Sequence, residues 1–337
     1  MRAVLIPLQI DLAQPPAGSA LYQAGGASMG SSWSARMMLP SGQSGDALGQ
    51  ALQRELDEIV AQMSHWDSDS LLARYNRAPG GSWHALPPQF HDVAEYALQV
   101  ARDTDGAYDP AGGALVNLWG FGPTGRYDQA GFYAPAAAAI DEVLARRRAH
   151  QPRLDPEGRR LYQPGGAILD FSSVAKGYAV DRMAQCLERH GLRHYLVEAG
   201  GELRGAGVKP GGDPWWVEIE GVPDAVGDTA AAPVVALHGL AIATSGDYRR
   251  YFQHGPRRVT HTLDPRSGYP VANGLASVTV LAPTCMAADA LSTALTVLGP
   301  EEGLAYADAR GIAARFLLRR PGALLETTSA AWRALLQ

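Results

Sequence analysis

Apolar residues return at helical spacing in several stretches of the chain. In residues 44–63, Leu48, Leu52, Leu56, Ile59, Val60 and Met63 form one stripe, with Arg54, Glu55 and Glu58 on the opposite face. That pattern predicts a core-packing helix. A polar segment, Ser64-His-Trp-Asp-Ser-Asp-Ser70, offers several caps, and a short helix over residues 71–75 follows it, ahead of a Pro/Gly loop at 78–81. Residues 89–104 predict another amphipathic helix, stopped by Gly106, and residues 134–148 an alanine-rich one. A further helix carries Val180, Met183, Ala184 and Leu187 on its stripe and ends at Gly191. Strand patterns cover residues 29–38, 194–199, 215–220, 234–244, 257–263, 276–282 and 314–318, with a hairpin after residue 148. Gly200-Gly201 permits a tight turn, residues 209–214 a Gly/Pro loop, and residues 221–233 read as a linker-like excursion.

Hairpin-linked strands with helices inserted between them predict an α+β fold with mainly antiparallel sheet. Residues 1–26 read as an N-terminal arm, loose and rich in Ala, Pro and Gly over 11–26, and residues 27–337 as the folded domain. No internal repeat is present in the residues.

Candidate chemistry is densest in Ile168-Leu-Asp-Phe-Ser-Ser-Val-Ala-Lys-Gly-Tyr-Ala-Val-Asp181, an apolar strand pattern turning into a helix. Ser172 or Ser173 can cap that helix, whose free N–H groups and positive dipole end suit an anion such as phosphate. Asp170 and Lys176 put a carboxylate and an ammonium at the same corner. A capped helix with a surface lysine would show the same pattern. The second stretch is Ala287-Ala-Asp-Ala-Leu-Ser-Thr-Ala-Leu-Thr-Val-Leu298, where Asp289 and Thr293 are four apart and share one helix face. Their oxygens suit a hard cation, magnesium in particular. A helix-start carboxylate and a back-bonded threonine would explain each residue separately, but not the pair on an otherwise apolar helix.

Composition narrows the partners. Charged residues make up 19% of the 337 and the net charge is −5, with no basic patch to suggest nucleic acid or an anionic membrane surface. Arg146-Arg-Arg148 reads as a solvated helix end and Arg319-Arg320 as a loop. Cys186 and Cys285 read as small core residues. The N-terminus shows neither a full signal-peptide core nor a lipobox cysteine, and no apolar run approaches the ~20 residues of a bilayer span, so a cytoplasmic location is expected. Glycines 106, 112, 113, 120 and 122, interleaved with Tyr108, Trp119 and Phe121, allow close approach to a flat ligand.

Met29-Gly-Ser-Ser-Trp33, Asp105-Gly-Ala-Tyr-Asp-Pro110, Leu115-Val-Asn-Leu-Trp-Gly-Phe-Gly-Pro123, the Asp170–Gly177 turn, Val197-Glu-Ala-Gly-Gly-Glu-Leu203, Thr244-Ser-Gly-Asp-Tyr248, His261-Thr-Leu-Asp-Pro265 and the Asp289 helix occur in that order. Together they resemble the ApbE family of flavin transferases, FAD:protein FMN transferases. The resemblance implies a T-fold-like architecture with the flavin in a cleft between lobes. It implies FAD contacts at Ala107, Tyr108 and Asp109, with Met29 and Trp66 nearby, at Asp170 and Lys176, and at Leu263 through backbone. It implies magnesium held by Asp289, Thr293 and the carbonyl of Ser173. The reaction implied is attack by a threonine or serine hydroxyl of a target flavoprotein on the FMN phosphorus, with AMP leaving. The target motif, roughly Ser/Thr-Gly-Ala-Ser/Thr preceded by an aspartate, does not occur in this chain, so self-flavinylation is not expected.

Departures from the resemblance are Ala287 and Ala288 where many relatives carry a glutamate, and Ser173 where others have Thr, Gly or Ala. Tyr108 and Trp66 differ in side chain from some relatives. His261 is the candidate base, its ordinary pKa of about 6.5 suiting a proton acceptor near neutrality. Lys176 joins it as a catalytic candidate through the charge it offers the leaving phosphate. Asp247 and His65 are rival bases, while Asp264 reads as a turn residue. Two further readings stay open: an FAD pyrophosphatase that uses water as acceptor, and a carrier that holds FAD without cleaving it.

Overall fold

A computed structural model describes residues 3–223, 232–255 and 257–337. Its centre is an eight-stranded sheet in which spatial order follows chain order: β1 (Ala20–Ser28), β2 (Ser31–Leu39), β3 (Tyr195–Ala199), β4 (Glu202–Ala206), β5 (Leu240–Gly246), β6 (Leu275–Ala282), β7 (Ala313–Arg320) and β8 (Ala323–Thr328). Every neighbouring pair is antiparallel. The helices are α1 (Gly45–Met63), α2 (Leu71–Asn76), α3 (Pro88–Asp103), α4 (Gly113–Leu118), α5 (Ala137–Ala149), α6 (Ala175–Arg189), α7 (Cys285–Arg310) and α8 (Ala330–Arg333). The α+β expectation holds.

Alternation along the strands builds two cores. Ala241 and Ala243 of β5 face α6 and α7, in the clusters that also hold Leu52, Leu56, Met183, Val278 and Leu295. Ile242 and Leu281 face the other way, against Leu5, Val235 and Trp332. Both faces of β6 are therefore covered, and all eight of its residues are buried. The predicted stripe of α1 packs as read except at Val60, which is half-buried: Leu48, Leu52, Leu56, Ile59 and Met63 are buried, and Ser44 accepts from the Ala47 N–H at the N-cap. A separate cluster of Leu115, Trp119, Phe121, Ile140, Leu144, Val259 and Leu263 forms the smaller lobe beside the sheet.

Several expectations are corrected. Residues 20–26 are not loose: they belong to β1, paired along its whole length with β2, because an edge strand needs only one partner. Residues 168–171 make no strand; Ile168 forms a single bridge to Gly112 and Asp170 N donates to the Pro110 carbonyl. The run 234–244 divides at Gly239 (φ +67) into Val234–Leu237, in a three-stranded sheet, and β5. The run 257–263 divides into Arg257–Thr260 and Leu263–Asp264. Gly299 (φ 86) and Pro300 break α7 into two helical pieces. Most of the linker read at 221–233 lies outside the described residues. Arg147 is no solvated helix end but pairs with Asp109 at 3.0 Å, and Arg319 sits in β7 rather than a loop.

Candidate active site

α6 and α7 meet where only glycine fits. A Cβ on Gly177 would lie 2.3 Å from the Cys285 carbonyl oxygen and 2.7 Å from the Asp289 Cβ. The close approach lets the Gly177 N–H donate to Asp289 Oδ2 at 3.0 Å. Asp181, one turn on, fixes the register: its carboxylate accepts from the Cys285 and Met286 N–H groups, both at 2.9 Å, and from Arg204 at 2.6 Å. The start of α7 is thus held by a residue of α6.

Asp289 and Thr293 line one cavity of about 250 Å³ together with Asp170, Ser173, Lys176, Glu202, His261 and Leu263. Thr293 does not back-bond to its own helix: its hydroxyl lies 3.0 Å from Ser245 Oγ, while Ser292 and Thr296 make the back-bonds. Lys176 Nζ lies 3.0 and 3.2 Å from the two oxygens of Glu202. Two buried carboxylates, Asp289 and Glu202, therefore share one ammonium. Burial first, then the Glu202 charge, raises the Asp289 carboxyl to about 7 against the pull of Lys176. Burial also raises Glu202, which Lys176 partly offsets. For Lys176, burial would lower the ammonium, but Glu202 and Asp289 outweigh it and hold it above its ordinary value.

Neither Ser172 nor Ser173 caps α6; Val174 takes the N-cap position without a side-chain bond. Ser172 N instead donates to Asp170 Oδ1, and Ser173 Oγ donates to the Tyr108 hydroxyl at 3.2 Å. Asp170 faces His65, 3.3 Å from Nδ1. Burial alone would raise Asp170, but His65 and the Ser172 N–H bring it down to about 2. His65 is correspondingly raised, since Asp170 overrides the lowering effect of burial.

His261 is half-buried in the wall of the same cavity. Its Nδ1 lies 3.0 Å from the Arg250 carbonyl oxygen, a bond across a hairpin rather than into the following turn. A carbonyl only accepts, so Nδ1 carries the hydrogen and Nε2 of the neutral ring keeps its lone pair. Burial pushes the ring down to about 4, below the near-neutral value expected from the sequence, so the ring is neutral at physiological pH but a weaker base than that expectation held. Asp247, the rival, is elsewhere: Arg319 binds it at 2.7 and 2.9 Å, Arg258 approaches at 3.6 Å, and it does not line the cavity. Asp264 accepts from the Arg266 N–H and side chain, as a turn residue does.

Ala107, Tyr108 and Asp109 line the cavity too. Asp109 Oδ1 accepts from Ala111 N, and burial raises its carboxyl despite Arg147. Met29 and Trp66 line a second cavity of about 470 Å³. Met29 (φ 50) and Gly30 (φ 71) form the two-residue turn between β1 and β2, both left-handed as such a turn requires. For a non-glycine residue that conformation costs about 1 kcal/mol or more. Trp66, 47% exposed, lies within 6 Å of two guanidinium groups, Arg250 at 5.8 Å and Arg126 at 5.6 Å. Glu202, Ser245 and Arg250 were not singled out by the sequence. Glu202 could have been, as a carboxylate beside the Gly200-Gly201 turn inside one of the recognised motifs.

The family model described as the ApbE family matches residues 29–316. The chain belongs to the ApbE family. A protein named FAD:protein FMN transferase from Haemophilus influenzae is 36% identical over 288 residues, covering 83% of this chain and 81% of that one. Its namesake in Vibrio cholerae is 37% identical over 301 residues, 87% of each. The apo crystal structure of the Pseudomonas stutzeri flavinyl transferase ApbE superposes with a TM-score of 0.84 at 38% identity, covering 97% of this chain and 98% of that one. The flavin transferase ApbE of Vibrio cholerae gives 0.85 at 33%, covering 94% and 100%. Among the described residues no helix of this ApbE member is long and apolar enough to cross a membrane.

Proposed function

We propose that the chain transfers FMN from FAD to a threonine or serine hydroxyl of a partner flavoprotein, releasing AMP. The observation that carries this reading is one cavity lined by Asp289, Thr293, Lys176 and His261 in a chain whose relatives bear that activity in their names. The names of those relatives give a protein as the acceptor; the attacking hydroxyl and magnesium follow from the donor chemistry and the family resemblance.

The residues fit a hard cation. The donors that would hold it are the Asp289 carboxylate, the Thr293 hydroxyl and the carbonyl of Ser173, residues that line the same cavity. All are oxygens, as magnesium prefers. The excess of buried carboxylate over ammonium is what a divalent ion would neutralise. Bound there, it would stabilise negative charge on the diphosphate oxygens as the bridging bond breaks.

The chain's own groups do the rest. Lys176 supplies a positive charge beside the diphosphate. Neutral His261 holds an acceptor lone pair at Nε2 and takes the hydroxyl proton as the acceptor oxygen attacks phosphorus. The phosphorus–oxygen bond to AMP breaks, and the oxygen of AMP keeps the electron pair. Tyr108 and Leu263 give the flavin a flat apolar wall, and the buried setting limits competing water.

The test is incubation with FAD and magnesium, with and without a domain carrying the target motif, following AMP and the acceptor's mass. A gain of one FMN on the acceptor, abolished by EDTA, supports transfer. Release of AMP and free FMN with no labelled acceptor would make the protein a pyrophosphatase, and intact bound FAD throughout would make it a carrier.

A further inference from the structure

The two cavities share a wall. The first is lined by Tyr108, Leu263 and the Asp289 end of the site, the second by Met29, Met63, Trp66 and Phe171, and three residues line both: Ser172, Lys176 and Arg250. The wall therefore consists of one hydroxyl and two cations, with an aromatic-lined space on either side.

The two cations are not equivalent. Both oxygens of Glu202 engage Lys176. Arg250 donates from Nη2 to the Phe121 carbonyl at 2.9 Å, and among the described residues no carboxylate stands within ion-pair distance of it. A guanidinium has five donors, so a single carbonyl leaves most of the fork for another acceptor. That bond and the Trp66 ring at 5.8 Å fix the plane of the group.

A charged group flanked by two flat-walled spaces matches a dinucleotide, whose diphosphate lies between two ring systems. Resting on the flavin-transfer reading above, we propose that Arg250 binds the diphosphate of FAD at the neck between the cavities, with one ring system on each side. It thereby makes the site select a dinucleotide over a mononucleotide. Guanidinium suits this role because its fork meets two phosphate oxygens at once. Arg250 is then a substrate-binding residue, distinct from Lys176, whose ammonium is a single point of charge already shared with Glu202.

Binding is measured in EDTA, so that cleavage does not intervene, by quenching of flavin fluorescence with FAD, FMN and riboflavin. The proteins compared are the parent, Arg250→Gln and Arg250→Lys, with melting temperature as the check on folding. Arg250→Gln is expected to weaken FAD binding by about 10-fold to 100-fold, to flatten its salt dependence, and to leave riboflavin affinity unchanged. Arg250→Lys should recover part of the loss. Unchanged FAD affinity in the Gln variant would overturn the proposal. So would an equal loss for FAD and riboflavin, which would mean that Arg250 only shapes the pocket through Phe121. The transferase reading fails separately, if the parent with magnesium and acceptor releases no AMP; the binding comparison still judges Arg250.

Discussion

Replacing Asp289 by Asn should make the metal-free protein more stable and the magnesium-treated protein no better. The carboxyl is buried, accepts one hydrogen bond, from Gly177 N, and is raised from 3.8 to about 7 by burial and by Glu202. A shift of about three pH units corresponds to roughly 4 kcal/mol between the two protonation states. The sign follows from where the proton sits. In the unfolded chain the carboxyl ionises near 3.8, in the folded chain near 7, so between those values the folded form holds the extra proton. Its contribution to stability is fully present below 3.8, falls as pH rises through the window, and is lost above about 7.

Asparagine keeps the shape and can still accept from Gly177, but it has no charge to bury. In EDTA at pH 8 the variant should exceed the parent by up to about 4 kcal/mol, and the gap should close toward pH 4. Magnesium should add about 2.7 kcal/mol to the parent at a hundredfold excess over its dissociation constant, and nothing to the variant. Urea denaturation followed by tryptophan fluorescence, at pH 4, 6 and 8 with EDTA or magnesium, reads both effects. A variant less stable than the parent in EDTA at pH 8 would refute the charge argument. Equal stabilisation of the two proteins by magnesium would remove Asp289 from the metal site.

His261→Ala should keep FAD binding and lower transfer by about 10²-fold to 10⁴-fold, the usual range for a lost base; normal turnover by acceptor mass would exclude His261 from proton transfer. Asp170 is held near 2, so its bonds to His65 and to Ser172 together contribute about 2 kcal/mol that is present above 3.8 and lost as pH falls toward 2. Asp170→Asn should therefore cost that amount in urea melts at pH 6 and less at pH 3, and a cost independent of pH would show that the carboxylate charge is not what stabilises. Gly177→Ala forces a methyl to within 2.3 Å of the Cys285 carbonyl oxygen, backbone that cannot swing aside. A loss of about 1–3 kcal/mol is expected, with metal affinity falling as α6 and α7 separate, and an unperturbed variant would contradict the packing described.

How far the sequence could be read depended on the range of the forces involved. The α1 stripe was legible because a helix face repeats every few residues, and the Asp289/Thr293 pair was legible for the same reason. Helix caps were less so: Ser172 and Ser173 sit where capping residues belong, yet Asp170 takes the Ser172 N–H in a local turn and Tyr108, 65 residues away, takes the Ser173 hydroxyl, a partner only the tertiary fold supplies. Asp247 looked like a base because it lies in a recognised motif, but β7 brings Arg319 onto it from 72 residues away. Arg147 likewise meets Asp109 only once α5 has packed. The break in residues 234–244 was marked by Gly239, but an apolar run does not say which sheet each half will join. Edge strand β1 was hidden by its own composition, since Gly25 and Gly26 are poor strand formers and β2 alone holds them in register.

Above about pH 7, where Asp289 has given up its proton, the charge imbalance at the heart of the cavity persists because the groups around it are held in place. Asp289 could reduce its cost by turning toward solvent or by drawing Lys176 away from Glu202. The first route is closed by the Gly177 contact, which sets the helices too near for α7 to rotate, and by Asp181, which ties the start of α7 to α6. The second is closed by geometry, since the Glu202 oxygens take the ammonium from β4 at 3.0 and 3.2 Å. Tight packing thus preserves an electrostatic debt that a divalent ion and a diphosphate can relieve together, one adding positive charge beside Asp289 and the other negative charge beside Lys176 and Arg250. A site assembled in this way needs little rearrangement when its ligands arrive, which is the condition under which fixed charges lower a barrier most.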